Sequence, residues 1–232
     1  MDELKYCYKY PHYALTADCV IFGFDGRELK VLLVERGIEP YKGCAALPGG
    51  FMKPDESLEE CARRELVEET GLEGEPFMEE VGTYSAPGRD PRERVVTTAF
   101  MALVRSSEVK GGDDAASASW HPIADLPPLA FDHERILADA LRRLRELIYF
   151  RPVGHDLLPE KFTMPQLQGL YEAILGVKFD RRNFAKKMLH VGIIEETGEK
   201  SAVSMRRAAN LYRFRLESYE AMKDRGEWKM EF

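Results

Sequence analysis

The sequence has few cysteines, no long apolar run and no repeated or low-complexity tract. Its 4 cysteines (Cys7, Cys19, Cys44 and Cys61) are scattered without the C-x-x-C spacing of zinc sites, so we interpret them as reduced thiols. No apolar run approaches the ~18 residues that a membrane-spanning helix needs. The charged N-terminus lacks the apolar core of a signal peptide. These absences predict a cytoplasmic protein that does not enter a membrane.

The chain is long enough for two domains, and its charge is divided unevenly. Its 232 residues exceed the ~100–200 of an ordinary domain. Residues 1–150 hold 18 lysines and arginines against 28 acidic residues, whereas residues 151–232 hold 15 against 12. An acidic first part and a basic second part predict domains at 1–150 and 151–232 that have different partners.

The stretch at 50–72, GFMKPDESLEECARRELVEETGL, carries the clearest chemical pattern. In a helix, Glu65 shares one face with Glu68 and Glu69, three and four residues later. Like charges placed in this way repel one another, and a divalent cation removes the repulsion. Oxygen ligands favour Mg²⁺ or Mn²⁺. The alternative is a solvated acidic face on an amphipathic helix.

Neighbouring residues fit the metal-binding interpretation. Arg64, four residues before Glu68, is placed to brace that carboxylate. Gly50 allows a tight turn that brings a backbone carbonyl towards the metal. Ser57 predicts the start of the helix through a capping box, and Gly71 predicts its end.

This stretch resembles the Nudix box, whose proteins hydrolyse nucleoside diphosphates linked to another moiety. The matching positions are Gly50, Glu56, Arg64, Glu65, Leu66, Glu68, Glu69, Gly71 and Leu72. The metal-binding positions that the resemblance implies are Gly50, Glu65, Glu68 and Glu69. Glu56 and Arg64 match the catalytic-site positions that brace the loop and the helix.

The rest of the first domain predicts a mixed sheet. Branched and aromatic residues predict strands at 13–23, 30–36, 45–48, 80–85, 95–104 and 118–121. The segment Asp25–Glu28 predicts a hairpin turn, and 131–150 has the apolar spacing of a long helix. Together with the Nudix helix, these elements predict an α/β/α sandwich.

The loop PGRDPRER at 87–94 is cationic, and its arginines are Arg89, Arg92 and Arg94. Three arginines beside a metal-carboxylate site predict a contact with pyrophosphate or ribose phosphate. A solvated basic loop is the alternative. Asp132 and His133 either line the ligand pocket or form a helix cap with an exposed histidine.

A second resemblance supports the ligand-contact interpretation. The segments YPHYALTADCVIFG, LPGGF, PGRDPRERVVTTAF and LPPLAFDHERIL look like the ADP-ribose pyrophosphatase branch of the Nudix family. They look equally like the Nudix domains of a group of bacterial transcriptional regulators. In both groups the RDPR loop, which here includes Asp90, lies close to the nucleotide. Glu93 stands where the family usually has glycine.

The second domain predicts a winged helix-turn-helix. After a linker at 151–159, helices are predicted at 162–175 and 181–192, and a two-stranded wing at 193–197 and 209–214. On the second helix, Phe184, Met188 and Leu189 are expected to pack inward. The predicted DNA contacts are Arg181, Arg182, Lys186, Lys187, Arg206 and Arg207. The alternative is an accessory domain for dimerisation.

The segments FTMPQLQGLYEAILG, DRRNFAKKML, GIIEE and RRAANLYRF resemble the winged-helix domain of the Nudix-related regulators. This resemblance implies a homodimer that binds an operator in double-stranded DNA and responds to ADP-ribose, a related NAD metabolite or a sugar. Another interpretation is a Mg²⁺-dependent ADP-ribose pyrophosphatase with an accessory domain, which yields AMP and ribose 5-phosphate. The candidates for its general base are Glu93, Glu108 and Asp114. A third interpretation gives the second domain a protein partner instead of DNA.

Overall fold

A mixed seven-stranded sheet forms the centre of the N-terminal part of the computed structural model, which describes residues 9–71, 75–106, 118–201 and 208–227. Its strands are β1 (Ala14–Phe24), β2 (Leu29–Glu35), β3 (Ala45–Ala46), β4 (Gly49–Phe51), β5 (Phe77–Tyr84), β6 (Val95–Leu103) and β7 (Ala118–Pro122). Two helices accompany the sheet, α1 (Leu58–Thr70) and α2 (His133–Leu147). The predicted strands and helices are therefore all present, with shifted ends.

Strand β1 lies in the middle of the sheet, which has the order β3-β2-β1-β6-β5. It pairs in parallel with β6 and antiparallel with β2 and β4. Its residues from Thr16 onward are buried, as expected for a strand covered on both faces. The Asp25 carboxylate accepts hydrogen bonds from the backbone of Arg27 and Glu28 at 2.9 and 3.0 Å. These bonds confirm the predicted hairpin turn.

The two helices cover opposite faces of the sheet, because alternate residues of a strand point to opposite sides. Cys19 and Ile21 belong to the apolar cluster that α1 completes with Ala62 and Leu66. Val20 and Phe22 belong to the cluster that α2 completes. This arrangement is the predicted α/β/α sandwich.

The ends of α1 follow the predicted capping residues. Ser57 Oγ accepts from the Glu60 backbone at 3.2 Å, and the Glu60 carboxylate accepts from the Ser57 backbone at 2.7 Å. Gly71 ends the helix with φ 62°, a left-handed conformation that glycine adopts without strain. The capping box and the C-cap are therefore confirmed.

The C-terminal part is a winged helix built around a small sheet. Its elements are α3 (Gly154–Leu157), β8 (Phe162–Thr163), α4 (Met164–Leu175), α5 (Arg181–Val191), β9 (Ile194–Lys200), β10 (Asn210–Phe214) and α6 (Leu216–Asp224). The sheet has three strands in the order β8-β10-β9. The prediction of a two-stranded wing therefore missed β8. A strand of 2 residues such as β8 is too short to show the alternation that identifies strands. Among the described helices, none is long and apolar enough to cross a bilayer.

The prediction of a linker at 151–159 is wrong. This segment contains α3, and Val153, Leu157 and Leu158 are buried. They join one apolar cluster that runs from α2 to α4. Prolines and a glycine suggested a loop, but the apolar residues between them pack into the core. The two parts of the chain therefore share a continuous core.

Candidate functional site

The three carboxylates of α1 lie on one face of the helix but differ in burial. Glu65 is buried, Glu69 is half-buried and Glu68 is exposed. In the described part of the chain, no three acidic, histidine or cysteine side chains are grouped to hold a metal ion. Leu72, the last position of the pattern, lies outside the described residues. The backbone thus brings the predicted ligands to one face of the helix, and two of them, Glu65 and Glu68, share Arg64 as a partner.

Arg64 is the main partner of these carboxylates. It donates to Glu65 at 2.6 Å, to Glu68 at 3.2 Å and to Glu56 at 2.8 Å. Glu56 also accepts from the backbone of Lys53 at 2.8 Å. The Arg64 bond, followed by that from Lys53, lowers the pKa of Glu56 to about 2. Arg64 and Glu56 therefore connect α1 to the loop before it, which is the bracing arrangement expected from the sequence.

Glu65 sits directly against the backbone of Gly50. A Cβ at position 50 would overlap the Glu65 carboxylate, so any residue other than glycine would force that carboxylate to move. Burial raises the pKa of Glu65, although Arg64 opposes the shift. The desolvated Glu65 carboxylate beside the Gly50 backbone places oxygen ligands together, and such ligands fit Mg²⁺ or Mn²⁺.

A cleft of about 210 Å³ opens beside this helix. It is lined by Thr16, Asp18, Arg36, Ile38, Leu47, Gly49, Gly50, Phe51, Arg89, Asp90, Arg92, Val95, Phe131 and His133. Gly50 belongs both to the cleft and to the carboxylate site, so the two regions adjoin. The cleft therefore combines arginines, carboxylates and aromatic rings next to the Nudix-type helix.

Arg89 is the most deeply placed cation of the predicted loop. Its guanidinium donates to Asp132 at 2.7 Å and lies 3.5 Å from Asp18. Arg92 donates to Asp90 at 2.6 Å, and this bond is the main cause of the lowered pKa of Asp90. Arg89 is therefore buried in ion pairs, which does not fit the solvated-loop alternative, whereas Arg92 pairs with Asp90 but stays exposed.

Arg94, by contrast, does not line the cleft. Its guanidinium lies 5.6 Å from the centre of the Tyr13 ring. Glu93 is exposed on the same loop. The other two candidates for the general base, Glu108 and Asp114, lie outside the described residues. The structure thus brings Arg89 and Arg92 to the cleft together and separates Arg94 from them.

His133 lies in the cleft, and the alternative of a helix cap with an exposed histidine is wrong. Its side chain is buried, and its Nδ1 accepts from the backbone of Leu47 at 2.9 Å. Burial lowers the pKa of His133, with Asp18 acting in the opposite direction. Asp132 precedes α2 without capping it, because its carboxylate is engaged by Arg89. His133 therefore lines the cleft, whereas Asp132 lies behind it, paired with Arg89, and lines a neighbouring pocket with Tyr84 and Arg135.

Among the cleft residues that the sequence analysis did not identify are Asp18, Arg36 and Phe131. Asp18 lies within β1 and Arg36 directly follows β2, so each looked like part of a strand. Phe131 has φ 56°, an uncommon backbone conformation for an aromatic residue. No local pattern marks these positions, since the folding of β1, β2 and α2 brings them together.

The predicted DNA contacts of α5 are exposed. Arg181, Arg182, Lys186 and Lys187 face solvent, while Phe184 and Met188 are buried. Leu189, which was expected to pack inward, is 48% exposed. It follows Met188 by one residue, and a 100° rotation moves it off the buried stripe. Arg206 and Arg207 lie outside the described residues.

Two family models match the chain. The NUDIX domain model matches residues 12–143, and the NrtR DNA-binding winged helix domain model matches residues 154–214. The chain is 35% identical over 217 residues to the ADPR responsive transcriptional repressor NtrR of Acinetobacter baylyi, covering 91% of this chain and 86% of that protein. It is 43% identical over 141 residues to the ADP-ribose pyrophosphatase of Methanocaldococcus jannaschii, covering 60% and 80%.

Solved structures are similar to both parts of the chain. The Shewanella oneidensis NrtR complexed with a 27mer DNA has a TM-score of 0.78 and 34% identity, over 89% of this chain and 95% of that one. The NUDIX domain of the same protein complexed with ADP ribose has a TM-score of 0.55 and 36% identity, over 60% and 94%. The similarity thus extends over both the cleft and the winged helix.

Proposed function

The chain belongs to the NUDIX family and carries an NrtR-type winged helix domain, and on that premise we propose that it is a DNA-binding transcriptional regulator controlled by a ligand of its Nudix domain. The observation that carries this proposal is that a cleft lined by arginines and aromatic rings and an exposed basic helix are joined by one continuous apolar core. Similarity to a repressor over 91% of the chain supports the same combination.

The ligand that fits best is ADP-ribose or a related nucleotide sugar. The cleft presents Arg89 and Arg92 to anionic groups, and its aromatic rings offer flat surfaces for a base. ADP-ribose is also the ligand in the names of the two relatives and of the related NUDIX-domain structure.

The DNA partner is a double-stranded operator, read by α5. Its exposed cations match the electrostatics of phosphate binding, and its buried residues hold it against the domain. A homodimer would present two such helices. The operator would then be near-palindromic, with half-sites about 34–36 Å apart or a multiple of that distance.

We also propose that the Nudix domain retains hydrolase activity, which would make the chain an ADP-ribose pyrophosphatase as well as a regulator. The supporting observation is that the Nudix-type carboxylates remain on one face of α1, with Arg64 bracing them. Glu65, Glu68 and Glu69 would hold Mg²⁺ or Mn²⁺ with the backbone near Gly50. The bound metal would polarise the pyrophosphate and acidify an attacking water.

Within this site, the chain's own residues have separate tasks. Arg89 and Arg92 orient the phosphates and neutralise charge that develops on their oxygens. The ion pair between Arg64 and Glu56 holds α1 against the preceding loop. His133, neutral and bonded to Leu47, closes the floor of the cleft. AMP and ribose 5-phosphate are the expected products.

The first test combines turnover and binding. Purified protein is incubated with ADP-ribose and Mg²⁺ or Mn²⁺, and AMP formation is followed while calorimetry measures binding of the same ligand. Turnover supports the hydrolase; binding without turnover supports a sensor that has lost hydrolysis. If ADP-ribose neither binds nor reacts, the proposed ligand is wrong.

The second test addresses DNA. Selection from a random duplex library yields the preferred sequence, and fluorescence anisotropy then measures its affinity with and without ADP-ribose. We expect affinity to fall steeply with salt and to change with the ligand. An operator affinity that is indifferent to ADP-ribose would refute ligand control. Failure to enrich any duplex would favour a protein partner for the second domain.

A further inference from the structure

One arginine of the cleft has an unused hydrogen-bond donor. Arg36 follows β2 and lines the cleft. Its Nε donates to the backbone oxygen of Pro40 at 2.8 Å, and its guanidinium lies 4.6 Å from the centre of the Phe131 ring. Its Nη2 is buried, and within the described residues it has no hydrogen-bond acceptor. A buried donor without an acceptor is costly, so this atom requires a partner that the described residues do not provide.

The other arginines of the cleft differ from Arg36 because each has a carboxylate. Arg89 is paired with Asp132 at 2.7 Å, and Arg92 with Asp90 at 2.6 Å. Arg36 has no such ion pair in the described part of the chain. Burial and the nearby charge of Arg92 lower the pKa of Arg36. The charges of Arg89 and Arg92 are therefore partly offset by their carboxylates, whereas Arg36 has no carboxylate partner among the described residues.

The surroundings of Arg36 hold its guanidinium in a fixed plane. Phe131 stacks against it and also contacts the ring of Tyr41, with the ring centres 4.8 Å apart. Phe131 and Tyr41 have φ of 56° and 64°, and among the described residues they are the only non-glycine residues with positive φ. Strained backbone of this kind concentrates at ligand clamps. The platform is thus built before any ligand binds.

We propose that Arg36, held against Phe131, donates through Nη2 to a phosphate oxygen of the ligand in this cleft. This inference rests on the proposed function and deepens it by naming the group that the ligand must carry. An anionic oxygen provides both the missing acceptor and the missing negative charge, whereas the hydroxyl group of a free sugar provides only the acceptor. The cleft therefore selects a phosphate-bearing ligand over an unphosphorylated sugar.

The test compares Arg36→Gln with the wild type by calorimetry, using ADP-ribose, AMP and free ribose as ligands. A hydrogen bond to a charged group is worth roughly 1.5–3 kcal/mol, so we expect about 10- to 100-fold weaker binding of ADP-ribose. Free ribose should bind neither protein measurably. The matched control is Arg27→Gln, which removes the same charge from the exposed turn between β1 and β2.

Thermal unfolding without ligand separates a ligand contact from a structural role. Arg36→Gln removes the unpaired buried Nη2 donor, which stabilises the unliganded protein, and the bond from Nε to Pro40, which destabilises it. Because these effects oppose each other, the unliganded midpoint should change little, while the upward shift caused by ADP-ribose should shrink. Weaker binding together with a lower unliganded midpoint would mean that Arg36 only supports the loop through Pro40, and would overturn the proposal. Arg36→Lys, which keeps the charge but has no Nη2, should fold and still bind ADP-ribose more weakly than the wild type.

The outcomes distinguish this proposal from the function on which it rests. If the wild type binds ADP-ribose and both Arg36 variants bind it equally well, the Arg36 contact is wrong and the proposed ligand stands. If the wild type does not bind ADP-ribose, both proposals fail. If free ribose binds as tightly as ADP-ribose, the selection for phosphate is wrong.

Discussion

Arg145 on α2 donates from its Nε to the backbone oxygen of Ile174 on α4 at 2.9 Å, which links the Nudix domain to the winged helix. The same helix begins at His133, which lines the cleft, directly after Asp132, which pairs with the cleft residue Arg89. Helix α2 therefore contacts the ligand region with its first turn and the DNA-binding domain with its last. A rigid helix that contacts both regions is a physical route by which a ligand can alter DNA binding.

Replacing Arg145 with methionine keeps the apolar stem and removes the donor. Because the Ile174 oxygen then loses this donor, we expect the free energy of unfolding to fall by about 1–3 kcal/mol, measured by urea denaturation. Operator affinity should also respond less to ADP-ribose. Arg142→Met, at an exposed position one turn earlier, is the control. Equal stability of both variants and the wild type would contradict the role of this bond.

The carboxylate face of α1 is tested by Glu69→Gln, which removes one charge and preserves shape. If Glu69 binds the metal, turnover of ADP-ribose should be abolished while ADP-ribose binding remains largely intact. Electron paramagnetic resonance should report weaker Mn²⁺ binding. Glu59→Gln, on the exposed first turn of α1, is the matched control. Unchanged turnover in the Glu69 variant would refute the metal assignment.

The contact between Gly50 and Glu65 makes Gly50→Ala a test of geometry. The added methyl group would overlap the Glu65 carboxylate and push it away from Arg64. Because small misplacements of catalytic groups cost on the order of 100-fold in rate, we expect a loss of that size in ADP-ribose hydrolysis. Gly37→Ala is the control, since a Cβ there has open space. Equal rates for the two variants would show that Glu65 need not lie against residue 50.

The buried His133 predicts a pH dependence of stability. Burial lowers its pKa from the ordinary value of 6.5, so below pH 6.5 the unfolded chain binds a proton that the folded chain does not. The contribution of neutral His133 to the free energy of unfolding should therefore be complete above pH 6.5. It should fall as the pH decreases below 6.5, by at most about 1.4 kcal/mol per pH unit. Protonation of Nδ1 would also break the bond from Leu47.

Urea denaturation between pH 5 and pH 8 measures this slope in the wild type and in His133→Gln. The slope should become smaller in the variant but not vanish, because burial lowers the pKa of His155 as well. His190→Gln removes an exposed imidazole from α5 and is the control. A variant slope as steep as that of the wild type would contradict the assignment to His133.

DNA contact by α5 is tested by Arg182→Gln and Lys186→Gln. Each change should weaken operator binding and lower the slope of log affinity against log salt by about 1, because one phosphate contact is lost. Anisotropy titrations at several salt concentrations measure the slope. Arg63→Gln, on α1 of the other domain, removes the same charge and should leave it unchanged. Equal slopes in all variants would mean that the DNA binds to a surface other than α5.

Much of the fold was predictable because it depends on local patterns. Alternating and branched residues located the strands, and the capping residues Ser57 and Gly71 located the two ends of α1. The errors share a different cause. The segment at 151–159, the short strand β8 and the exposure of Leu189 depend on what packs against them, which no local pattern records.

The sequence by itself determined the chemistry of the protein: the carboxylates of α1, the arginines of the 87–94 loop and the basic face of α5 are all readable as residue types at fixed spacing. The tertiary structure decided which of these groups meet. It paired Arg89 with Asp132, moved Arg94 away from the cleft and brought in Arg36, which lies 53 residues before Arg89. Spacing along a helix fixes neighbours within one element, whereas contacts between elements depend on sheet order and packing.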